Sequence, residues 1–129
     1  MSRKASHYLR VGEYPLRDEQ GKDTGRYGRI IRLSMTLKEN KRKARREIHE
    51  KACELFSRVF ENLSHIDEVQ IQINPPNPDE DKRFTNIVMK MTMSRATAEQ
   101  IKWRTFKPKE LPQVLESYWV TPELRKEPT

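Results

Sequence analysis

The sequence predicts an α+β fold: a two-layer sandwich with one long helix packed on a small, three- or four-stranded, mainly antiparallel sheet, in the order β-α-β-β-α. Three observations predict it. Residues 29–37, 66–74 and 84–94 alternate apolar and polar side chains with period two. Residues from about 40 to 63 repeat their apolar positions at steps of three and four. A strand, helix, strand order with a right-handed crossover sets the first strand parallel to the second or to its neighbour.

Residues 1–26 read as a flexible N-terminal arm, because Gly12, Pro15, Gly21 and Gly25 punctuate it and its apolar residues are scattered. Within it, YLRVG has the makings of a short strand, and RDEQGKDTGRYG those of a loop or extended hairpin turn. A single domain is expected over 27–120, with a tail over 121–129. In RIIRLSMTL, Ile31, Leu33, Met35 and Leu37 fall on one side, and Ile30, Arg32, Ser34 and Thr36 on the other. The helix follows, with Asn40 or the Thr36–Glu39 pair as its N-cap. Its stripe is Ala44, Ile48, Ala52, Leu55, Val59 and Leu63, widened by Phe56 and Phe60.

In IDEVQIQIN, Val69, Ile71 and Ile73 point inward, and Gln70 and Gln72 outward. The proline- and acid-rich loop NPPNPDEDKR leads to FTNIVMKMTMS, which forms a hairpin with that strand. Ile87, Met89, Met91 and Met93 share one of its faces, and Asn86, Val88, Lys90 and Thr92 the other. Ser94 caps a short helix ending near Trp103, and LPQVLESYW forms a short helix or a terminal element. Each strand has one apolar face, so the helix covers one side of the sheet and the other is wet or meets a partner.

Of 129 residues, 35% are charged and the formal net charge is +7. Residues 1–37 carry 8 cations against 4 anions and residues 38–63 carry 8 against 5, whereas residues 64–94 carry 3 against 5. Such an excess suits nucleic acid, anionic lipid or an acidic protein. The single cysteine, Cys53, excludes an internal disulfide and a cysteine-based zinc site. The first twenty residues hold no apolar run and nothing later approaches a membrane span, so a cytoplasmic protein is expected, unless the chain is a domain cut from an exported or anchored one.

The helix begins KRKARRE, the wrong sign for the positive end of a helix dipole. Lys43 and Arg46 stand among Glu47, Glu50 and Glu54 at i,i+4 spacings. Lys41 and Arg45 lie above the apolar stripe, so their long stems must snorkel out or the helix start must overhang the sheet. Lys41, Arg42, Arg45 and Arg46 are the first candidate phosphate contacts, with Arg32 and Lys90 on the polar sheet face second. That face carries no aromatic in this reading, which argues against stacking of unpaired bases. Tyr118 and Trp119 are candidate protein contacts.

His49 and Cys53, spaced i,i+4, have no evident third ligand, and no catalytic residue, metal site or cofactor is expected. The functional expectation is a non-catalytic accessory module engaging an anionic partner, most readily nucleic acid through phosphates. The alternative is a protein–protein assembly module, such as the soluble domain of a larger envelope or secretion-related system, with a protein partner or a homo-oligomer. No small-molecule substrate is expected.

Overall fold

Strand β1 (His7–Arg17) turns at Asp18–Lys22 into strand β2 (Asp23–Met35), and the two pair antiparallel as a hairpin. The protein is described by a computed structural model covering residues 7–77 and 85–125. The turn follows from its residues. Asp18 Oδ1 accepts from the backbone N–H groups of Gln20 and Lys22, both at 2.9 Å, and Gly21 takes φ 79°, which a side chain disfavours.

Helix α1 (Lys41–Asn62) crosses to strand β3 (Ile66–Asn74), which runs parallel to β2. Strand β4 (Met89–Ser94) pairs antiparallel with β3, as expected of that hairpin. Helix α2 (Arg95–Glu99), a 3-10 turn (Pro108–Glu110) and helix α3 (Leu111–Val114) lead to strand β5 (Ser117–Val120), antiparallel to β4, and then to helix α4 (Pro122–Arg125).

The α+β class and the single long helix agree with the sequence reading, but the sheet differs. Among the described residues it has five strands rather than three or four, is mixed rather than mainly antiparallel, and follows chain order, β1-β2-β3-β4-β5. Residues 7–26, expected as an arm, supply β1 and the first part of β2. The physical reason is that β1 is an edge strand wetted on the helix side. Leu9 is 55% exposed and Val11 42%, so its pattern carries no burial signal, and an edge tolerates Pro15. Strand β4 begins at Met89 rather than 84; Val88 packs against the core, and residues 78–84 of the preceding loop lie outside the described residues. Helix α2 stops at Glu99 rather than near Trp103. LPQVLESYW divides into a helical turn and a strand, and the tail starts with a helical turn; residues 126–129 lie outside the described residues.

The core lies between the sheet and α1. Ile31, Leu33 and Met35 of β2, Val69, Ile71 and Ile73 of β3, and Met89, Met91 and Met93 of β4 are all buried there, with Ala44, Ile48, Ala52 and Phe56 of α1. Asn40 is the N-cap of α1, its side chain accepting from Lys43 N at 3.0 Å. Arg95 closes the other end. Its Nη1 donates to Phe60 O at 3.1 Å and its Nη2 to Leu63 O at 2.6 Å, while Nε reaches Ile66 O at 2.7 Å. A cation there answers the negative end of the helix dipole. No helix among the described residues is long and apolar enough to cross a membrane.

Candidate functional site

Because α1 covers the face of Ile31, Leu33 and Ile71, the alternate residues of each strand line the opposite face. Register makes one row of them. Arg10 pairs with Arg32, Arg32 with Gln72, Gln72 with Lys90 and Lys90 with Trp119, one residue from every strand. With neighbouring strands about 4.8 Å apart, the row runs roughly 19 Å. Arg10, Lys90 and Trp119 are exposed, Trp119 at 44%, and Arg32 and Gln72 are half-buried. The row contains no carboxylate, and among the described residues none pairs with Arg32 or Lys90. A second row, of Gly12, Ile30, Gln70, Thr92 and Ser117, lies beside it.

The flank toward the turn of the β1–β2 hairpin is held by Tyr14. Its ring crosses β2 over Gly28, where any Cβ would collide with the ring. Its hydroxyl then donates to Glu68 Oε2 at 2.5 Å and accepts from Gln70 Nε2 at 2.9 Å. Burial, and then the Glu68 carboxylate, raise its pKa well above the ordinary phenol range. Glu68, the carboxylate of this face closest to the cation row in register, is therefore engaged. At the opposite flank Ser34 and Asn74 are register partners and fully buried. Ser34 Oγ and Asn74 Oδ1 have no hydrogen-bond partner among the described residues, although Asn74 Nδ2 donates to Asn86 O at 2.5 Å.

The candidate contacts read from the sequence divide between two places. Arg32 and Lys90 come together on the open face. The helix-start cations belong to the other side of the sheet. There Arg42 and Arg46 are exposed and Lys41 is half-buried. Arg45 snorkels to the C-terminal segment, its Nη1 donating to Leu124 O at 2.7 Å. Glu47 takes Lys38 at 3.3 Å, and Glu54 takes Arg58 at 3.0 Å.

Tyr118 and Trp119 point to opposite sides of β5. Tyr118 is half-buried against α1, its hydroxyl 2.9 Å from His49 Nε2, while Trp119 joins the cation row. The open face is thus not without aromatics: Trp119 and Tyr14 lie on it. Sequence reasoning misses Arg10 and this position of Trp119 because it places Arg10 in an arm and Trp119 in a helical or terminal element. The alternation of Leu9, Arg10, Val11 and Gly12 is the signal available for the first.

His49 Nε2 faces the Tyr118 hydroxyl, and the Cys53 thiol is half-buried. Burial first, and the Arg45 charge second, lower the His49 pKa to about 4. Burial and Glu50 push the Cys53 thiol up to about 11, away from thiolate chemistry. No group of three histidine, cysteine or carboxylate side chains able to hold a metal occurs among the described residues. An open groove of about 630 Å³ beside α1 is lined by Glu61, Ile101, Lys102, Trp103, Arg104 and Thr105, a set with one carboxylate, one lysine and no histidine or cysteine. Comparison of the chain with protein-family models, with curated proteins and with solved structures finds no match.

Proposed function

We propose that this domain is a non-catalytic accessory module of the cytoplasm that holds an anionic partner, nucleic acid first, by phosphate contacts on its open sheet face. The observation that carries the reading is the row Arg10–Arg32–Gln72–Lys90–Trp119, which contains no carboxylate and in which Arg32 and Lys90 have no carboxylate partner among the described residues. Charge of this kind holds phosphates without reading bases, so weak sequence preference is expected. Lys41, Arg42 and Arg46 at the start of α1 add to the general attraction from the far side.

Fluorescence anisotropy with labelled oligonucleotides across a salt series tests the reading. Binding should weaken steeply with salt. The Arg32→Ala, Lys90→Ala double variant should lower the slope by about 0.7–0.9 for each phosphate left without its cation, and Lys41→Ala, Arg42→Ala by less. No binding at low salt would end this reading.

A second reading, a protein–protein assembly module such as the soluble domain of a larger envelope or secretion-related system, is favoured by the edge strand β1. Its outer edge has no neighbour among the described residues, and Leu9 and Val11 on its helix-side face are exposed. Light scattering over a range of protein concentrations, for the protein and for a Leu9→Lys, Val11→Lys variant, tests it. A mass that does not change with concentration, or that the variant leaves unchanged, counts against self-assembly.

A further inference from the structure

We infer that the ligand of the open face is a single strand, laid across the five strands with an unpaired base stacked on Trp119. The inference rests on the nucleic-acid reading above and adds the form of the ligand and the role of the aromatic.

Three observations carry it. First, the row that holds the cations crosses all five strands and is roughly 19 Å long, with strands spaced about 4.8 Å apart. A face five strands wide does not enter a duplex groove, which admits a helix or a two-stranded ribbon. A duplex would touch it only along a ridge of phosphates, whereas a flexible single strand can lie flat on it.

Second, Trp119 is 44% exposed and stands next to Lys90 in the same row. An indole in that position gains nothing from bases paired inside a duplex and gains a stacking partner from an unpaired base. Third, the row beside the cations is uncharged, apolar at Gly12 and Ile30 and polar at Gln70, Thr92 and Ser117, with Gln70 Nε2 already donated to Tyr14. Gln70, Thr92 and Ser117 offer donors and acceptors at the level where base edges and ribose hydroxyls of a flat-lying strand would sit. Together these divide the work, with Arg32 and Lys90 on the phosphates and Trp119 on a base.

The test compares a homopyrimidine oligonucleotide, as RNA and as DNA, with the same strand annealed to its complement, and adds polyglutamate as a polyanion without bases. Each is titrated against the protein, Trp119→Leu, Trp119→Phe and Trp103→Phe, the last as a control for the other indole. Single strands should bind more tightly than duplex at equal phosphate concentration. Trp119→Leu should weaken single-strand binding roughly ten-fold, with the salt slope unchanged because the indole neutralises no phosphate. Trp119→Phe should restore part of the affinity, and Trp103→Phe should change nothing. Duplex binding as tightly as single strand, or Trp119→Leu without effect, overturns the inference and leaves the phosphate reading standing. Polyglutamate binding as tightly as RNA or DNA overturns it too, since the face would then take any polyanion. Failure of every nucleic acid to bind at low salt overturns the reading beneath it.

Discussion

The ring of Tyr14 lies across β2 only because residue 28 has no side chain. Gly28→Ala should therefore cost about 1–3 kcal/mol, since the ring must leave both Glu68 and Gln70, and Tyr14→Phe about 1 kcal/mol. Urea midpoints of the two variants measure this, and a Gly28→Ala midpoint equal to the parent's would contradict the close approach. Ser34→Ala should be neutral or stabilising by up to about 1 kcal/mol, because the hydroxyl it removes is buried without a partner among the described residues. His49 makes stability depend on pH. Its folded pKa, about 4, lies below the ordinary value near 6.5, so the unfolded chain binds a proton first as pH falls. The stabilisation is complete above pH ~6.5 and is lost progressively down to pH ~4, by roughly 3 kcal/mol in all. Urea midpoints should fall through that window, and His49→Asn should flatten the fall. Glu13, held low by Arg29 and then by His65, and Asp67, held low by Arg26, withdraw their share only at lower pH, around and below the ordinary carboxylate range.

Among the elements, α1 depends on residues outside itself at both ends. Arg95 belongs to α2, yet its guanidinium takes three carbonyls at and after the end of α1 and lies 5.3 Å from the centre of the Phe60 ring. Arg95→Ala should cost about 2–4 kcal/mol by stranding those carbonyls, and Arg95→Lys should recover only part, because an ammonium lacks the planar fork. Thermal unfolding of both variants decides it; equal melting points for Lys and the parent would mean that charge alone matters. How legible each element is in the sequence follows from its burial. β3, α1 and the second half of β2 each have one dry and one wet side, and that difference imposes the period seen in Val69, Ile71 and Ile73 or in Ile48, Ala52 and Phe56. β1 lacks it because its helix-side residues are wet. β5 is four residues long, too short for a period to register. The candidate site is legible to the same extent: Arg32 and Lys90 follow from alternation, whereas Arg10 and Trp119 belong to the two edges.

For the whole molecule, the helix side carries paired charges, among them Arg29 with Glu13 and Lys38 with Glu47, beside the exposed Arg42 and Arg46, and the open face carries Arg32 and Lys90 without carboxylate partners among the described residues. Replacing Arg32 and Lys90 by alanine should therefore leave the melting temperature nearly unchanged while lowering affinity for polyanions, and replacing Arg95 should do the reverse. Calorimetry and anisotropy on the same two variants separate the roles.

The strand order β1-β2-β3-β4-β5 also bears on how the chain is made. No strand has to be threaded between two that already stand, so every addition is to a free edge. As the chain leaves the ribosome, the β1–β2 hairpin can close on local contacts alone, whereas docking β3 in parallel must close the longest connection between paired strands, the crossover through α1. β5 is the last strand to arrive. The indole of Trp119 is thus set in place only after β1 to β4, and a nascent chain stalled before β5 would hold most of the sheet and the cations of β1 to β4 but lack that indole.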